Sequence, residues 1–179
     1  MRTINVVGLE IPEAGRLFFA SLIVHVLAAL TALVAGVLAA TARKRPGRHP
    51  TAGRVYLVGL AFVFATATVM ASIRWRQDAR LFAIAVVALG FGLFGWRARR
   101  VQWRGWVYGH AIGMGGSFIA LFTGFYVDNG PQLPVWRLLP HWLYWTLPAA
   151  IGAPLIWLAL RRYQAGVSSK PHARAPVGS

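Results

Sequence analysis

Histidine is the only residue type titrating near neutral pH that falls within the apolar runs of this 179-residue chain. Its neutral imidazole is both a good metal ligand and a proton carrier near neutral pH. His25 lies about 12 Å along the first run, at 1.5 Å of rise per helical residue. His110 lies about 8 Å into the fourth run on the same rule. His49 and His141 stand at the entries to the second and fifth runs, each beside a proline, Pro50 and Pro140. Two histidines therefore fall toward each end. Four-helix membrane cytochromes of b type use that arrangement, because imidazole is an axial haem ligand. Haem b held by His25 and His110 is one reading; hydrogen bonding of the two imidazoles across helices is the other. Met114 and Ser117, one and two turns beyond His110, join them as candidate interior polar or ligand-contacting groups.

Other chemistry is poorly represented. The chain has no cysteine, which removes disulfides, zinc-thiolate sites and iron–sulfur ligation. Its four acidic residues are Glu10, Glu13, Asp78 and Asp128, and all lie outside the apolar runs. A proton-coupled carrier working through a carboxylate deep in the membrane is not expected. No paired carboxylates, phosphate loop or nucleophilic triad spacing stands out, so an enzyme is not the favoured reading.

The positioning elements follow from the placement of charge. Hydrophobic residues make up 57% of the chain, against 13% charged, with a mean hydropathy of +0.54. A soluble domain of this size needs more surface charge. Five stretches exclude every Asp, Glu, Lys and Arg: Leu17–Ala42, Val55–Ile73, Leu81–Trp96, Gly105–Val127 and Leu138–Leu160. A hydrocarbon core of about 30 Å needs about 20 such residues. The third stretch, of 16, reaches that length if Trp96 and the arginine stems beside it snorkel to the interface; a re-entrant segment is the alternative. The expected fold is an all-α integral membrane bundle of five transmembrane helices over residues 17–163. Residues 1–16 would form an arm outside the membrane, and residues 164–179 a disordered basic tail.

Thirteen of the 19 basic residues lie in the first and third connections and the tail, and six on the other side with all four acidic residues. The positive-inside rule then predicts a cytoplasmic C-terminus and an outside N-terminus in a bacterial inner membrane. The Arg74–Arg80 connection is basic on the supposed outside and runs against this trend. The net charge of +15 sits in clusters between apolar runs, not along an extended cationic face, so the lipid bilayer and not nucleic acid is the expected partner. A homo-oligomer or a partner subunit in the membrane is compatible with the pattern.

Small residues at every fourth position allow close helix packing in lipid. Gly105, Gly109, Gly113 and Ser117 form one such row, and Ala28, Ala32, Gly36 and Ala40 another. Both are expected at helix contacts, with each other as one option. Pro148 and Pro154 should bend the fifth helix. A broken helix of this kind can line a transport path, which leaves a small permease as a further reading. Asp128-Asn129-Gly130-Pro131 is a turn signal that closes the fourth helix.

The motif His49-Pro-Thr-Ala-Gly53-Arg54-Val-Tyr56 resembles the His-Arg-x-x-Gly-Arg-x-Tyr element of a bacterial membrane protein family known only as domain of unknown function 2306. Pro50 stands where that element often carries a basic residue. The second half is similar too: His110 to Thr123, the Asp128-Asn129 ending, and Leu147-Pro148 through Gly152-Ala-Pro154. The resemblance covers about residues 17–163 and implies a small polytopic membrane protein with no assigned activity. It groups His49, Gly53, Arg54, Tyr56, Asp128 and Asn129 as a candidate interfacial motif. The resulting expectation is a non-enzymatic accessory or small-molecule-binding membrane protein with a histidine-containing interior.

Overall fold

A computed structural model describes residues 3–6, 9–12, 15–43 and 47–168. Five long helices account for most of it: α1 (Gly15–Thr41), α2 (Arg48–Ile73), α3 (Trp75–Val101), α4 (Trp106–Asn129) and α5 (Trp142–Ser168). Each is long and apolar enough to cross a membrane. Ahead of them, β1 (Thr3–Val6) and β2 (Leu9–Pro12) pair as an antiparallel hairpin, with Ile4 opposite Ile11. Sequence periodicity gave no sign of these strands, which are only four residues each.

Backbone groups in hydrocarbon must be satisfied within the segment, so an apolar run in lipid closes into a helix. The helices nevertheless outlast the charge-free runs. α3 is continuous over 27 residues, with Arg76, Asp78 and Arg80 in its opening turns and Arg97, Arg99 and Arg100 in its closing ones. A re-entrant third segment is therefore not what forms. Asp78 and Asp128 also lie within helices, in the first turn of α3 and the last turn of α4. α5 runs to Ser168, five residues beyond the boundary expected for the tail. Residues 169–179 lie outside the described residues.

The α3–α4 connection is short because Gln102 and Gly105 take the left-handed conformation, with φ of 54° and 80°. A glycine adopts that conformation without a Cβ penalty. Two 3-10 turns, Gly130–Gln132 and Trp136–Leu138, carry the chain from α4 to α5. Tyr144 fixes this stretch by donating its hydroxyl to the Trp136 carbonyl at 2.9 Å.

Helices α1 to α4 close into a ring, in which α1 meets α2, α2 meets α3, α3 meets α4, and α4 meets α1 more lightly. α2 and α4 are diagonal partners across its interior. α5 stands outside the ring and packs on α4. There the contact is reciprocal: Ile156 fills the space over Gly115, and Ile119 fills the space over Gly152. α5 remains one helix through Pro148 and Pro154.

Both small-residue rows lie at helix contacts, but not against each other. Ala28 and Ala32 of α1 receive Gly59 of α2, where an added Cβ would come within 3.1 Å of the Ala32 methyl. Gly113 of α4 lies on α3 so closely that a Cβ there would be 2.5 Å from the Gly95 backbone. Gly109 faces Ala98 on the same helix. Gly36 of the α1 row is covered by the Phe118 ring of α4, next to Ser117. Gly105 does not share this role, because it precedes α4. The core formed by Ala32, Ala35, Tyr56, Leu60, Val63, Ala88 and Leu121 sits inside the ring.

Candidate functional site

The diagonal between α2 and α4 carries the polar side chains of the interior at matching heights. At one end, the rings of His49 and His110 meet edge-on, with centroids 6.2 Å apart and planes at 82°. His49 is the second residue of α2 and His110 the fifth of α4. Each is followed seven residues later by a partner in a second pair, Tyr56 and Ser117, whose oxygens are 2.6 Å apart. Seven residues are two helical turns, which return to the same face. The α2 and α4 ladders therefore run in register.

Both histidines also fasten the bundle from within. His49 Nδ1 lies 2.8 Å from the Ala39 carbonyl of α1. That carbonyl lies in the last turn of α1. His110 Nδ1 lies 3.0 Å from the Gly95 carbonyl of α3. A carbonyl oxygen only accepts, so in both rings Nδ1 carries the proton. In the neutral ring the lone pair is then on Nε2. Metal-ligating histidines are oriented in this way, with the second nitrogen held by a carbonyl or carboxylate. The Gly95–Gly113 approach makes the His110 contact feasible: only two facing glycines bring the helices near enough for an imidazole to reach a mid-helix carbonyl.

Aromatic and cationic groups surround the pair. Trp106 lies 6.4 Å from the His110 ring, and the Arg99 guanidinium sits 4.9 Å over Trp106. Arg48 precedes His49 directly. This end of the bundle is rich in positive charge.

Tyr56 and Ser117 are fully enclosed, at 2% and 0% exposure. Phe118 packs edge-on against the Tyr56 ring, with centroids 6.0 Å apart. Above them, Leu60, Val63 and Leu121 form an apolar layer. Beyond that layer, His25 of α1 bonds Thr66 of α2 at 2.9 Å. The Thr66 hydroxyl donates to the Phe62 carbonyl at 2.7 Å, so its oxygen accepts from His25. Asp128 lies within electrostatic reach of His25, Arg74, Arg80 and Asp78. No buried side-chain nitrogen or oxygen lacks a hydrogen-bond partner among the described residues.

The sequence candidates thus separate into two groups. His49, His110, Tyr56 and Ser117 come together along the diagonal. Met114 sits between the His and Ser positions of α4 and packs against the core and Gly95. His25 belongs to the opposite end with Asp128; at 1.5 Å per residue it is about 18 Å from His110 along the bundle. One iron could not bind both, which corrects the ligand pair expected from depth in the apolar runs. The imidazole beside His110 is that of His49, which its position at a run boundary next to Pro50 concealed. The equal seven-residue spacings His49–Tyr56 and His110–Ser117 were the available signal. Gly53 has open space where a Cβ would go, and Arg54 is exposed. Asn129 turns back to donate to the Phe125 carbonyl of its own helix at 3.1 Å. His141, in the α4–α5 connection, packs edge-on against Tyr144 of α5, away from the other imidazoles.

Among the described residues no group of three or more His, Cys, Asp or Glu is placed to hold a metal ion. A metal at the diagonal would have two imidazole ligands from the chain. Comparison with family models, curated proteins and solved structures returns no match.

Proposed function

We propose that this chain is a non-enzymatic, multi-pass protein of the bacterial cytoplasmic membrane that binds a small ligand between α2 and α4, at the end carrying His49 and His110. The proposal includes an outside N-terminus, a cytoplasmic C-terminus and membership of the family known as domain of unknown function 2306. What supports it is the imidazole pair itself: two rings from diagonal helices, both oriented by backbone carbonyls, meet in one place. Lipid and an accessory membrane subunit or second copy are its proposed partners.

Haem b is one candidate ligand, which His49 and His110 would hold. Both rings are held through Nδ1 by backbone carbonyls, the way metal-ligating histidines are commonly oriented. Bound haem would supply one-electron chemistry at the cytoplasmic end, and the carbonyls of Ala39 and Gly95 would set the ligand rings. A permease finds less support, because Leu60, Val63 and Leu121 interrupt the polar ladder.

The test is an absorption spectrum and metal analysis of protein expressed with ample haem and purified in mild detergent. Haem ligation predicts a Soret band that is lost in both His49→Ala and His110→Ala but kept in His25→Ala. A featureless spectrum rejects the haem form. The broader reading then requires another co-purified ligand, detected by mass spectrometry in the parent protein and lost in both variants. A parent with neither rejects the site.

A further inference from the structure

Because α5 packs on α4 alone, a groove of about 560 Å³ opens between α3 and α5. Its floor is the small-residue surface of α4, including Gly116 and Ala120; Ala83 and Phe91 of α3 form one wall and Trp145 of α5 stands on the other. At one end is the Arg80 side chain. We infer that this groove holds one acyl chain of an anionic phospholipid, in the leaflet on the N-terminal side, with Arg80 binding the lipid phosphate.

Length supports a single chain from a single leaflet. Arg80 and Phe91 are eleven residues apart on α3, about 16 Å. Half of a hydrocarbon core is about 15 Å. The lower end is closed where Phe91 lies over Gly116, with only 3.0 Å left for an added Cβ. Phe91 therefore marks the lower end of the groove, one leaflet's depth from Arg80.

Charge identifies the headgroup. Arg80 is the sixth residue of α3 and Trp145 the fourth of α5, so both stand near interfacial height. Trp prefers that depth, and an arginine stem can lie along apolar surface with its head in the polar layer. Arg76, one turn earlier, adds a second cation on the same side of α3. Asp128, within electrostatic reach of Arg80, offsets part of this charge. Thr123, also in the lining, uses its hydroxyl on the Ile119 carbonyl at 2.9 Å and offers the lipid little competition for Arg80. A helix from a second copy would instead place an apolar surface against the arginine.

Native mass spectrometry from detergent micelles tests this with equal amounts of phosphatidylglycerol and phosphatidylcholine bearing the same acyl chains. The parent protein should retain the anionic lipid preferentially. Arg80→Gln should weaken that preference about fivefold, the scale of one basic residue near an anionic surface. Ala83→Leu, at an exposed position that can fill the groove without disturbing the core, should reduce retention of both lipids. Arg162→Gln, at the other end of α5, should change neither. Unchanged helicity and elution would show that the variants fold. Equal retention of the two lipids, or an undiminished preference in Arg80→Gln, overturns the inference. So does a dimer that Ala83→Leu dissociates, which would assign the groove to a second copy.

Discussion

Exchanging Tyr56 for Phe and Ser117 for Ala should destabilise the bundle unequally, and the inequality follows from helix geometry. The two hydroxyls are 2.6 Å apart and virtually sealed from the surroundings. When Tyr56→Phe removes the phenol oxygen, Ser117 can turn its hydroxyl to the carbonyl four residues back, a common serine arrangement in helices. The cost is then only the net value of one hydrogen bond, about 1 kcal/mol. When Ser117→Ala removes the serine oxygen, the phenol is too far from its own backbone to compensate. It is left without a partner, at about 1–3 kcal/mol. The double variant has no orphaned hydroxyl, so the coupling in a double-mutant cycle should fall at about 0.6–1.7 kcal/mol, the range of interhelical hydrogen bonds in membranes. Unfolding in mixed micelles with increasing dodecyl sulfate, read by far-ultraviolet circular dichroism, measures all four proteins. A Tyr56→Phe loss equal to or larger than that of Ser117→Ala, or strictly additive single effects, would refute the reasoning.

Two glycines of the same helical system should respond in opposite ways. Gly113→Ala puts a Cβ 2.5 Å from the Gly95 backbone and must spread α3 from α4, costing about 1–3 kcal/mol in the same unfolding assay. It should also lengthen the His110–Gly95 contact, seen as a changed His110 ring-proton shift by NMR. Gly53→Ala meets nothing within 4 Å in mid-helix and should stabilise by about 0.5–1 kcal/mol. A loss at Gly53 would show that the glycine serves a contact outside this chain.

The five spans were legible because the membrane imposes a strong rule on charge, and the rule leaves long gaps in the positions of Arg, Lys, Asp and Glu. Helix ends were less legible. Arg76, Asp78 and Arg80 sit in helical turns at α3's start because the interface, unlike the hydrocarbon, accepts charged helix. The close packing of Gly113 could be foreseen, but not its neighbour, since a row of small residues fits any close-approaching helix. The same limit governed the site. Depth in an apolar run singled out His25 and His110, yet depth says nothing about which helices are diagonal. The His49–Tyr56 and His110–Ser117 spacings held that information, and it becomes readable only once α2 and α4 are known to run in the same direction.

The contacts between α1 and α2, and between α3 and α4, join segments that emerge consecutively during synthesis. Each pair buries its small-residue seam and closes its histidine bond before later segments are needed, except that His49 and His110 must await one another. Membrane insertion can thus proceed as two independent helical hairpins, and their side-by-side docking becomes the event that brings the two imidazoles into edge-on contact. The final helix, arriving with its own isoleucine–glycine clasp on α4, can dock after the ring has closed.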